Sequence, residues 1–399
     1  MSTMVSDRVK NMAESATLAM AAKARELKEK GINVISLSLG EPDFKTPKHI
    51  QEGAKAAIDE GKYFAYPPVN GYLDLRQAIS AKFKNENNLD YSPDQIVVSN
   101  GAKQSIANVF LALLNEGDEV VVFSPFWVSY SSLIELAGGV PVYAKGGIES
   151  DFKVTPEQLE QAITPKTKAI IYSSPCNPTG SVFTLEELTA ISEVIKKHKD
   201  IVVIADEIYE HINYTGAHAS IGAIEGMIDR TVTINGMAKG FAMTGWRVGY
   251  LGAPLWLAKA CNKIQGQITS ANCSIAQRAA LTALTTDIAP TVEMSKEYLR
   301  RRDIVKALLD EVPGFKTNLP TGAFYFFPDV TALFGTTDGN VTINNADDLS
   351  LYLLDQAQVS VVTGDAFGDA NCIRLSYAAS EEDLREAITR IKIAVSKLS

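Results

Sequence analysis

Short apolar segments alternate with amphipathic ones through the first two thirds of the chain, and this alternation limits the possible folds most strongly. The apolar segments QIVVSN, DEVVVF, KAIIYS and DIVVIA are rich in valine and isoleucine and are bounded by turn or polar residues. Such runs are typical of strands buried on both faces of a parallel sheet. RTVTING and WRVGYLGAP add two further strands. The pattern predicts a doubly wound α/β domain over residues 48–290.

The pattern changes after Pro290. A long charged helix over MSKEYLRRRDIVKALLDEV precedes the strand-like segments GAFYFFPDV, VSVVTGDAF and NCIRLSYA, and a final helix follows from Ser380. Strands and helices segregated in this way predict a smaller α+β domain over residues 291–399. Residues 1–47 contain the predicted helix SATLAMAAKARELKEKG and the predicted strand INVISLSLGEPDF, and we expect this N-terminal segment to join the smaller domain.

Charge and composition exclude several classes of protein. The net charge of −9 argues against nucleic acid as a partner, because phosphate backbones attract basic surfaces. No apolar run approaches the roughly 18 residues of a membrane span, and the N-terminus lacks the order of a signal peptide. The scattered cysteines and histidines show no paired spacing, so no metal site is predicted. We therefore expect a cytoplasmic protein.

Ligands of open α/β sheets bind beyond the carboxyl ends of the strands, so polar residues at those ends are candidate site residues. After IVVSN comes a turn of small residues, Gly101 and Ala102, which leads through Lys103 into a predicted helix. Free N–H groups at the start of a helix suit a phosphate. The turn has neither Walker nor GxGxxG spacing. An ordinary strand-to-helix turn is the alternative interpretation.

Three other strand ends carry candidate residues. Trp127 follows VVFSPF and is either a core aromatic or a ring that stacks on a planar cofactor. Asn177 lies between two prolines in SPCNPTG. This segment is either an ordinary rigid turn or a fixed backbone that orients the Asn177 amide towards a ligand. Asp206 ends a buried strand, where a carboxylate needs a partner in a structural ion pair or in a ligand site. Tyr209 follows three residues later.

Lys239 and Arg247 stand among small and apolar residues in TINGMAKGFAMTGWRVGY. Taken alone, Lys239 is more consistent with a surface lysine whose stem packs on apolar groups than with a catalytic residue. In a pocket, burial lowers the pKa of a lysine, and its neutral amine can bond to an aldehyde. Arg247 offers a guanidinium that suits phosphate. The strand ends together supply an amine, a carboxylate, a guanidinium, an aromatic ring, an amide and an anion site, and pyridoxal 5′-phosphate uses all of these.

A family resemblance rests on motifs spread over nearly the whole chain. SLGEPDF, YPPVNGYLDLR, SPCNPTG, ADEIY, MAKGFAMTGWRVGY and IRLSYA together resemble the class I aminotransferases of fold type I, close to the bacterial aspartate aminotransferases. The combination is far more specific than any single motif. The resemblance implies pyridoxal 5′-phosphate as cofactor. It also implies a large domain with a mostly parallel seven-stranded sheet between helices, plus a smaller α+β domain.

Matching positions imply a role for each residue around the cofactor ring. Lys239 would bond to the aldehyde, and Asp206 would pair with the pyridine nitrogen. Tyr209 and Asn177 would hydrogen-bond the 3-oxygen, and Trp127 would cover the ring. The predicted catalytic residues are Lys239, Asp206 and Tyr209.

The resemblance assigns the phosphate to the Gly101 turn, the main chain of Ala102 and Lys103, and the side chain of Arg247. In this family a tyrosine of the partner subunit also reaches the phosphate. Tyr66 in AYPPVNG matches that tyrosine, which implies a homodimer with shared active sites.

The sequence departs from part of the family just before Lys239. Many members have a serine three residues before the lysine, and serine is also common directly before it. Here the two positions are Gly236 and Ala238, which offer no hydroxyl to the phosphate.

Arg374 in IRLSYA would bind the substrate α-carboxylate. No residue matches the partner-subunit arginine that holds the distal carboxylate in the best-known aspartate aminotransferases. The chain instead resembles a subgroup in which a lysine at the position of Lys103, with a hydroxyl from the N-terminal segment, binds that group. The predicted substrate contacts are Gly40, Trp127, Asn177, Arg374, Lys103, Ser15 and Thr17.

The resemblance predicts amino-group transfer from L-aspartate to 2-oxoglutarate, giving oxaloacetate and L-glutamate, with amination of prephenate to arogenate as a further activity. An aminotransferase of broader, aromatic or neutral amino-acid specificity is the alternative. The same fold also hosts lyases, decarboxylases and acyltransferases, but Arg374 with a distal lysine favours transamination of dicarboxylates. A regulator would need an added DNA-binding segment of about fifty residues, and an oxidoreductase would need a GxGxxG turn.

Overall fold

The computed structural model describes residues 4–12 and 14–399. The strands are β1 Ile35–Ser36, β2 Ile96–Asn100, β3 Glu119–Ser124, β4 Val140–Lys145, β5 Thr167–Ser173, β6 Val202–Asp206, β7 Thr231–Gly236, β8 Val248–Gly252, β9 Tyr325–Phe326, β10 Val359–Ser360, β11 Val362–Thr363 and β12 Ile373–Ser376. The helices are α1 Asp7–Asn11, α2 Ala16–Glu29, α3 Lys48–Asp59, α4 Leu73–Asn87, α5 Ala102–Leu113, α6 Ser129–Leu136, α7 Pro156–Ala162, α8 Leu185–Lys196, α9 Leu255–Ile268, α10 Ser274–Thr285, α11 Ala289–Leu309, α12 Ala346–Gln356 and α13 Glu381–Val395.

Seven strands form the main sheet in the order β2-β8-β7-β6-β5-β3-β4. Strand β8 is antiparallel to both of its neighbours, and the other pairs are parallel. The predicted mostly parallel seven-stranded sheet is confirmed. Because the parallel strands share one direction, their carboxyl ends meet at one edge of the sheet, where the predicted site residues lie.

The edge strand β4 has no counterpart among the apolar runs identified in the sequence. Its segment VPVYAK begins with Val140, which is 46% exposed, and contains Pro141 at its second position. An edge strand has only one neighbour, so it tolerates proline and needs no continuous apolar run. Only the family resemblance predicted a seventh strand.

Consecutive side chains of the central strands point to opposite faces of the sheet, and both faces are covered. In β6, Val203 packs with Leu188 and Ile191 of α8, whereas Ile204 packs with side chains of α5 and α9 such as Phe110 and Leu257. Full burial of each such side chain stabilises the fold by about 1.5–3 kcal/mol. Burial on two faces explains why these strands appear in the sequence as continuous apolar runs.

A second group of elements is built from shorter strands. β11, β12 and β9 form an antiparallel sheet, and β1 pairs in parallel with β10. The predicted strand INVISLSLGEPDF is therefore mostly wrong, since only Ile35–Ser36 is a strand and the chain beyond it follows an irregular path into the site. Helix α11 begins at Ala289, two residues before the predicted boundary at 291. The domain boundaries stay predictions.

None of the helices in the described ranges is both long enough and apolar enough to span a membrane.

Candidate active site

A cavity of about 330 Å³ opens at the carboxyl edge of the main sheet. It brings together residues from the N-terminal segment, from the carboxyl ends of β2, β3, β5, β6 and β7, and from β9 and β12. Of the residues predicted from the sequence, its lining includes Ser15, Thr17, Gly40, Ala102, Lys103, Trp127, Asn177, Asp206, Tyr209, Lys239, Arg247 and Arg374. Gly101 lies next to this lining, in the turn that starts α5.

One end of the cavity is built to receive an anion. Gly101 has φ +84°, and a Cβ on it would lie 2.5 Å from Nη2 of Arg247. Helix α5 starts at the next residue, so its first N–H groups and the Arg247 guanidinium face the same space. Asn272 fixes this arrangement by donating to the carbonyl of Arg247 at 2.7 Å and to Oδ1 of Asn100 at 2.8 Å. The arrangement suits a phosphate group.

Asp206 lies at the end of β6 and is 4% exposed. Its carboxylate accepts hydrogen bonds from the hydroxyl of Tyr130 at 2.6 Å and from the N–H of Ile208 at 3.2 Å. Burial raises the pKa of Asp206 to about 6, although the Tyr130 hydrogen bond opposes that rise. The partners predicted to be necessary for the buried Asp206 carboxylate are therefore a hydroxyl and a backbone N–H rather than a cation.

Lys239 projects into the cavity from the loop that follows β7. Its Nζ donates to the carbonyl of Gly40 at 2.5 Å. Burial, helped by the nearby charge of Arg374, lowers the pKa of Lys239 to about 8. A substantial fraction of this amine is therefore neutral near physiological pH, and a neutral amine is a nucleophile and a base. The alternative of a solvated surface lysine is wrong.

Arg374 is a buried cation without a carboxylate partner among the residues that the structure describes. It is 2% exposed and donates to Oδ1 of Asn177 at 2.9 Å and to the carbonyl of Ser38 at 2.6 Å. Its Nε, also buried, has no hydrogen-bond partner in the described part of the chain. The rings of Tyr325 and Phe367 lie 4.6 Å and 4.7 Å from the guanidinium carbon. A buried charge left in this state calls for an external anion.

Lys103 provides a second cation in the cavity. Its Nζ lies 4.9 Å from the centre of the Trp127 ring. Burial and, to a lesser extent, the nearby charge of Arg247 lower the pKa of Lys103. Ser15 precedes α2, where its side chain makes no capping hydrogen bond, and with Thr17 it lines the same cavity. Lys103 and the two hydroxyl side chains thus line the same cavity.

Comparison with known proteins identifies the family. Residues 32–391 match the family described as aminotransferase class I and II.

The chain belongs to this family.

Among relatives of this aminotransferase, the bifunctional aspartate aminotransferase and glutamate/aspartate-prephenate aminotransferase of Petunia hybrida is 47% identical over 396 residues, which are 98% of this chain and 82% of that protein. The aspartate/prephenate aminotransferase of Cereibacter sphaeroides is 44% identical and covers 99% of both chains. The crystal structure of the aspartate aminotransferase from Rhizobium meliloti superposes with a TM-score of 0.96 at 39% identity, covering 100% of both chains.

One predicted cofactor contact of the aminotransferase lies outside the cavity. Tyr66 is 96% exposed and does not line the cavity of its own chain. This position neither supports nor contradicts the role expected for it, since the family resemblance assigns Tyr66 to the active site of a partner subunit.

The missing serine before Lys239 has a steric reason in this aminotransferase. A Cβ on Gly236 would lie 2.8 Å from the Cα of Gly249 and 2.8 Å from the carbonyl of Val248, both on the neighbouring strand β8. A side chain at this position has no room unless the two strands separate. Ala238 lines the cavity, so only the second of the two positions has space for a hydroxyl.

Sequence reasoning missed several residues of the cavity. Tyr130, Tyr325, Glu41 and Thr244 line it, and the hydroxyl of Thr244 donates to the Glu41 carboxylate. Tyr130 had one available signal, because it lies a single helical turn after Trp127. Tyr325 had none beyond its place in an aromatic run, since GAFYFF is also typical of a core strand.

Proposed function

We propose that this aminotransferase uses pyridoxal 5′-phosphate to transfer the amino group of L-aspartate to 2-oxoglutarate, and that it also aminates prephenate to arogenate. The observation that carries the proposal is the pair of cations Arg374 and Lys103, which line one cavity with the Lys239 amine. A dicarboxylate substrate would satisfy both cations. The names of the relatives from Petunia hybrida and Cereibacter sphaeroides support both activities.

The residues of the cavity fit pyridoxal 5′-phosphate. The Gly101 turn, the start of α5 and Arg247 would hold its phosphate, Asp206 its ring nitrogen, and Lys239 its aldehyde. When bound, the cofactor supplies an aldehyde that bonds to primary amines and a protonated ring that accepts electrons from the substrate Cα. Trp127 would stack on the ring, and Tyr209 and Asn177 would donate to the 3-oxygen.

Each protein group has a defined task in the proposed reaction. Lys239, as a neutral amine, would take the proton from the substrate Cα and, as an ammonium, would deliver it to the former aldehyde carbon (C4′) of the cofactor. The carboxylate of Asp206 holds the proton at the ring nitrogen, and Tyr130 keeps that carboxylate oriented. Because the site is buried, these charges interact more strongly than they would in water.

Substrate orientation follows from the two cations. Arg374 would bind the α-carboxylate with two parallel hydrogen bonds, for which its planar guanidinium is suited. Lys103 would bind the distal carboxylate, with the Ser15 and Thr17 hydroxyl groups beside it. With Arg374 binding one end of the substrate and Lys103 the other, the site would favour four- and five-carbon dicarboxylates over neutral amino acids.

We further propose a homodimer in which Tyr66 reaches the phosphate of the other subunit, and a cytoplasmic location. Tyr66 and its neighbour Phe64, which is 71% exposed, present large aromatic surface to solvent in the single chain. Aromatic residues of this kind are enriched in subunit interfaces.

Two measurements test the proposed function. The protein is purified with pyridoxal 5′-phosphate and reduced with borohydride, and the modified peptide is mapped; label on any residue other than Lys239 would overturn the assignment. Initial rates are then compared for aspartate, for arogenate-forming amination of prephenate, and for aromatic amino acids and alanine. Faster turnover of an aromatic or neutral amino acid than of aspartate would replace the dicarboxylate specificity with the broader alternative.

A further inference from the structure

Tyr325 on β9 contacts both Arg374 and Tyr209, and it was not among the residues predicted from the sequence. It is fully buried yet lines the cavity. Its ring lies 4.6 Å from the guanidinium carbon of Arg374, and its hydroxyl oxygen lies 2.7 Å from that of Tyr209. It therefore connects the residue proposed for the substrate α-carboxylate with a residue proposed for the cofactor 3-oxygen.

The ring of Tyr325 stabilises the Arg374 charge without neutralising it. Tyr325 and Phe367 both approach the guanidinium, at 4.6 Å and 4.7 Å from its carbon. Aromatic faces attract a cation through the negative potential of their π electrons. A carboxylate in the same place would compete with the substrate, because it would occupy the N–H groups that a substrate carboxylate needs. Two rings hold the cation in place and leave its charge available.

The hydroxyl of Tyr325 determines what the hydroxyl of Tyr209 can do. Each tyrosine has one hydroxyl proton, so in the Tyr209–Tyr325 hydrogen bond only one of them is the donor. Burial raises the pKa of both residues, so both are protonated at neutral pH. If Tyr325 donates, the proton of Tyr209 is free for an acceptor in the cavity. Gly40 leaves space for the Tyr325 hydroxyl, since a Cβ there would overlap its oxygen.

We propose that Tyr325 is a positioning residue with two functions: its ring orients Arg374 for the substrate α-carboxylate, and its hydroxyl donates to Tyr209 so that Tyr209 donates to the cofactor. This inference rests on the proposed function. The two functions belong to different parts of one side chain, so two substitutions separate them.

Tyr325→Phe removes the hydroxyl and keeps the ring. A hydrogen bond from Tyr209 stabilises negative charge on the 3-oxygen of the bound cofactor, and a weaker donor stabilises it less. The measurement is a pH titration of the visible absorbance of the cofactor-loaded protein. The midpoint of that titration is expected to rise by about 0.3 pH unit in Tyr325→Phe, since losing one neighbour in a hydrogen-bond chain weakens the next bond by roughly 10–30%. An unchanged midpoint would overturn the hydroxyl function.

Tyr325→Leu removes the ring as well. The probe is maleate, a dicarboxylate without an amine, and its dissociation constant is measured by calorimetry on the loaded protein. Tyr325→Phe is expected to bind maleate within about threefold of the unsubstituted protein, whereas Tyr325→Leu is expected to bind it about tenfold more weakly than Tyr325→Phe, because a desolvated cation–π contact is lost. Phe367→Leu tests the other ring and is expected to weaken maleate binding in the same way. Equal affinity in Tyr325→Phe and both leucine variants would overturn the ring function.

A matched control separates these effects from a general loss of packing. Tyr298 is 1% exposed, belongs to the same core cluster as Tyr325 and does not line the cavity. Tyr298→Phe is expected to leave both the titration midpoint and the affinity for maleate unchanged. An equal midpoint shift in Tyr298→Phe would assign the effect to packing and overturn the inference.

Failure of the proposed function gives a different result. If the unsubstituted protein shows no visible cofactor band and no label on Lys239, the proposed function is wrong. If the band and the label are present and only the response of the Tyr325 variants is missing, the inference alone is wrong.

Discussion

At the scale of single residues, burial gives the site its chemistry. Burial lowers the pKa of Lys239 to about 8 and raises the pKa of Asp206 to about 6, so each is brought closer to neutral pH. A base acts best when its pKa is near the working pH. Nothing in the residue types alone distinguishes these groups from the exposed lysines and aspartates elsewhere in the chain.

Tyr130→Phe tests the support of Asp206. The variant loses the 2.6 Å hydrogen bond to the carboxylate, so Asp206 is expected to hold the ring nitrogen less well. We expect kcat/KM for aspartate to fall by about tenfold, which corresponds to the loss of one charge-assisted hydrogen bond. The control is Tyr143→Phe, whose hydroxyl donates to Ser131 on the protein surface. Equal kcat/KM in Tyr130→Phe and the unsubstituted protein would remove Tyr130 from this role.

Lys103→Ala tests the distal contact. Aspartate has a second carboxylate for Lys103 to bind, whereas alanine has none, so alanine is an internal control. We expect the KM for aspartate to rise by at least about tenfold, consistent with the loss of a charged contact, and the KM for alanine to change far less. Steady-state kinetics with both substrates provide the measurement. Equal changes in KM for aspartate and alanine would show that Lys103 contributes to phosphate binding or to folding rather than to substrate specificity.

At the scale of elements, close contacts between strands and turns fix the site residues. Strands β7 and β8 approach each other at Gly236 and Gly249 more closely than a side chain at Gly236 would allow. Behind the turn that carries Tyr209, an ion pair joins Lys82 of α4 to Glu210. Both contacts lie outside the cavity, yet each holds a segment that supplies cavity residues.

Gly236→Ser is expected to destabilise the protein, although the family resemblance leads to the expectation of a serine at this position. The new Cβ would meet the backbone of β8 at 2.8 Å, which forces the strands apart. We expect the free energy of unfolding to fall by about 1–3 kcal/mol, the usual cost of overpacking. Urea denaturation measures this free energy of unfolding. The matched control is Ala238→Ser, because Ala238 faces the cavity and has space for a hydroxyl. A stable Gly236→Ser protein with tighter cofactor binding would contradict the steric explanation.

Lys82→Met tests the buried ion pair. Burial by itself would raise the pKa of Glu210, but Lys82 and other nearby groups outweigh it and lower that pKa to about 2. Removing Lys82 leaves a buried carboxylate without its cation, so we expect a loss of about 3–5 kcal/mol at pH 7 in urea unfolding. The control is Lys55→Met on the exposed pair with Glu52, which is expected to change stability by less than about 1 kcal/mol.

The pH dependence of Lys82→Met has a definite sign. The folded-state pKa of Glu210 lies below its ordinary value of 4.5, so the stabilisation is complete above that pH and is lost as the pH falls towards 2. The stability difference between the two proteins should therefore narrow over this range. A difference that widened on acidification would mean that Lys82 does not lower the pKa of Glu210.

At the scale of the whole molecule, the site depends on segments that are far apart in the sequence. Arg374 hydrogen-bonds Asn177 across 197 positions of sequence, and Lys239 hydrogen-bonds Gly40 across 199. The proposed dimer extends this dependence to a second chain, because Tyr66 lies outside the cavity of its own subunit. The site is then complete only in the assembly.

Hybrid dimers test the shared site. A Tyr66→Leu subunit supplies an intact Lys239, and a Lys239→Ala subunit supplies an intact Tyr66, so a mixed dimer contains one complete site. After random exchange, half of the dimers are mixed and each has one of its two sites intact, so about a quarter of full activity is expected. The control is each variant exchanged with itself. No gain on mixing, with exchange verified by mass spectrometry, would contradict a site shared between subunits.

The parallel sheet and most of the residues proposed to bind ligands could be predicted from the amino-acid sequence alone. Strands buried on both faces must be apolar throughout, so they are visible as runs, and polar residues at their ends stand out against them. This is why Asp206, Asn177 and Lys239 could be identified from the pattern of residues. The family motifs then added Arg374 and Gly40, which lie outside the main sheet, and the comparisons confirmed the family.

The surroundings of those residues depend on the tertiary structure. Three features require atoms from distant parts of the chain. They are the hydrogen bond of Tyr130 to Asp206, the contacts of Tyr325 with Tyr209 and Arg374, and the lack of space for a side chain at Gly236. Taken alone, Tyr130, Tyr325 and Gly236 are indistinguishable from core residues. The physical reason is that hydrogen bonding, burial and steric fit are properties of a place in the fold, and sequence patterns report only which face of an element a residue occupies.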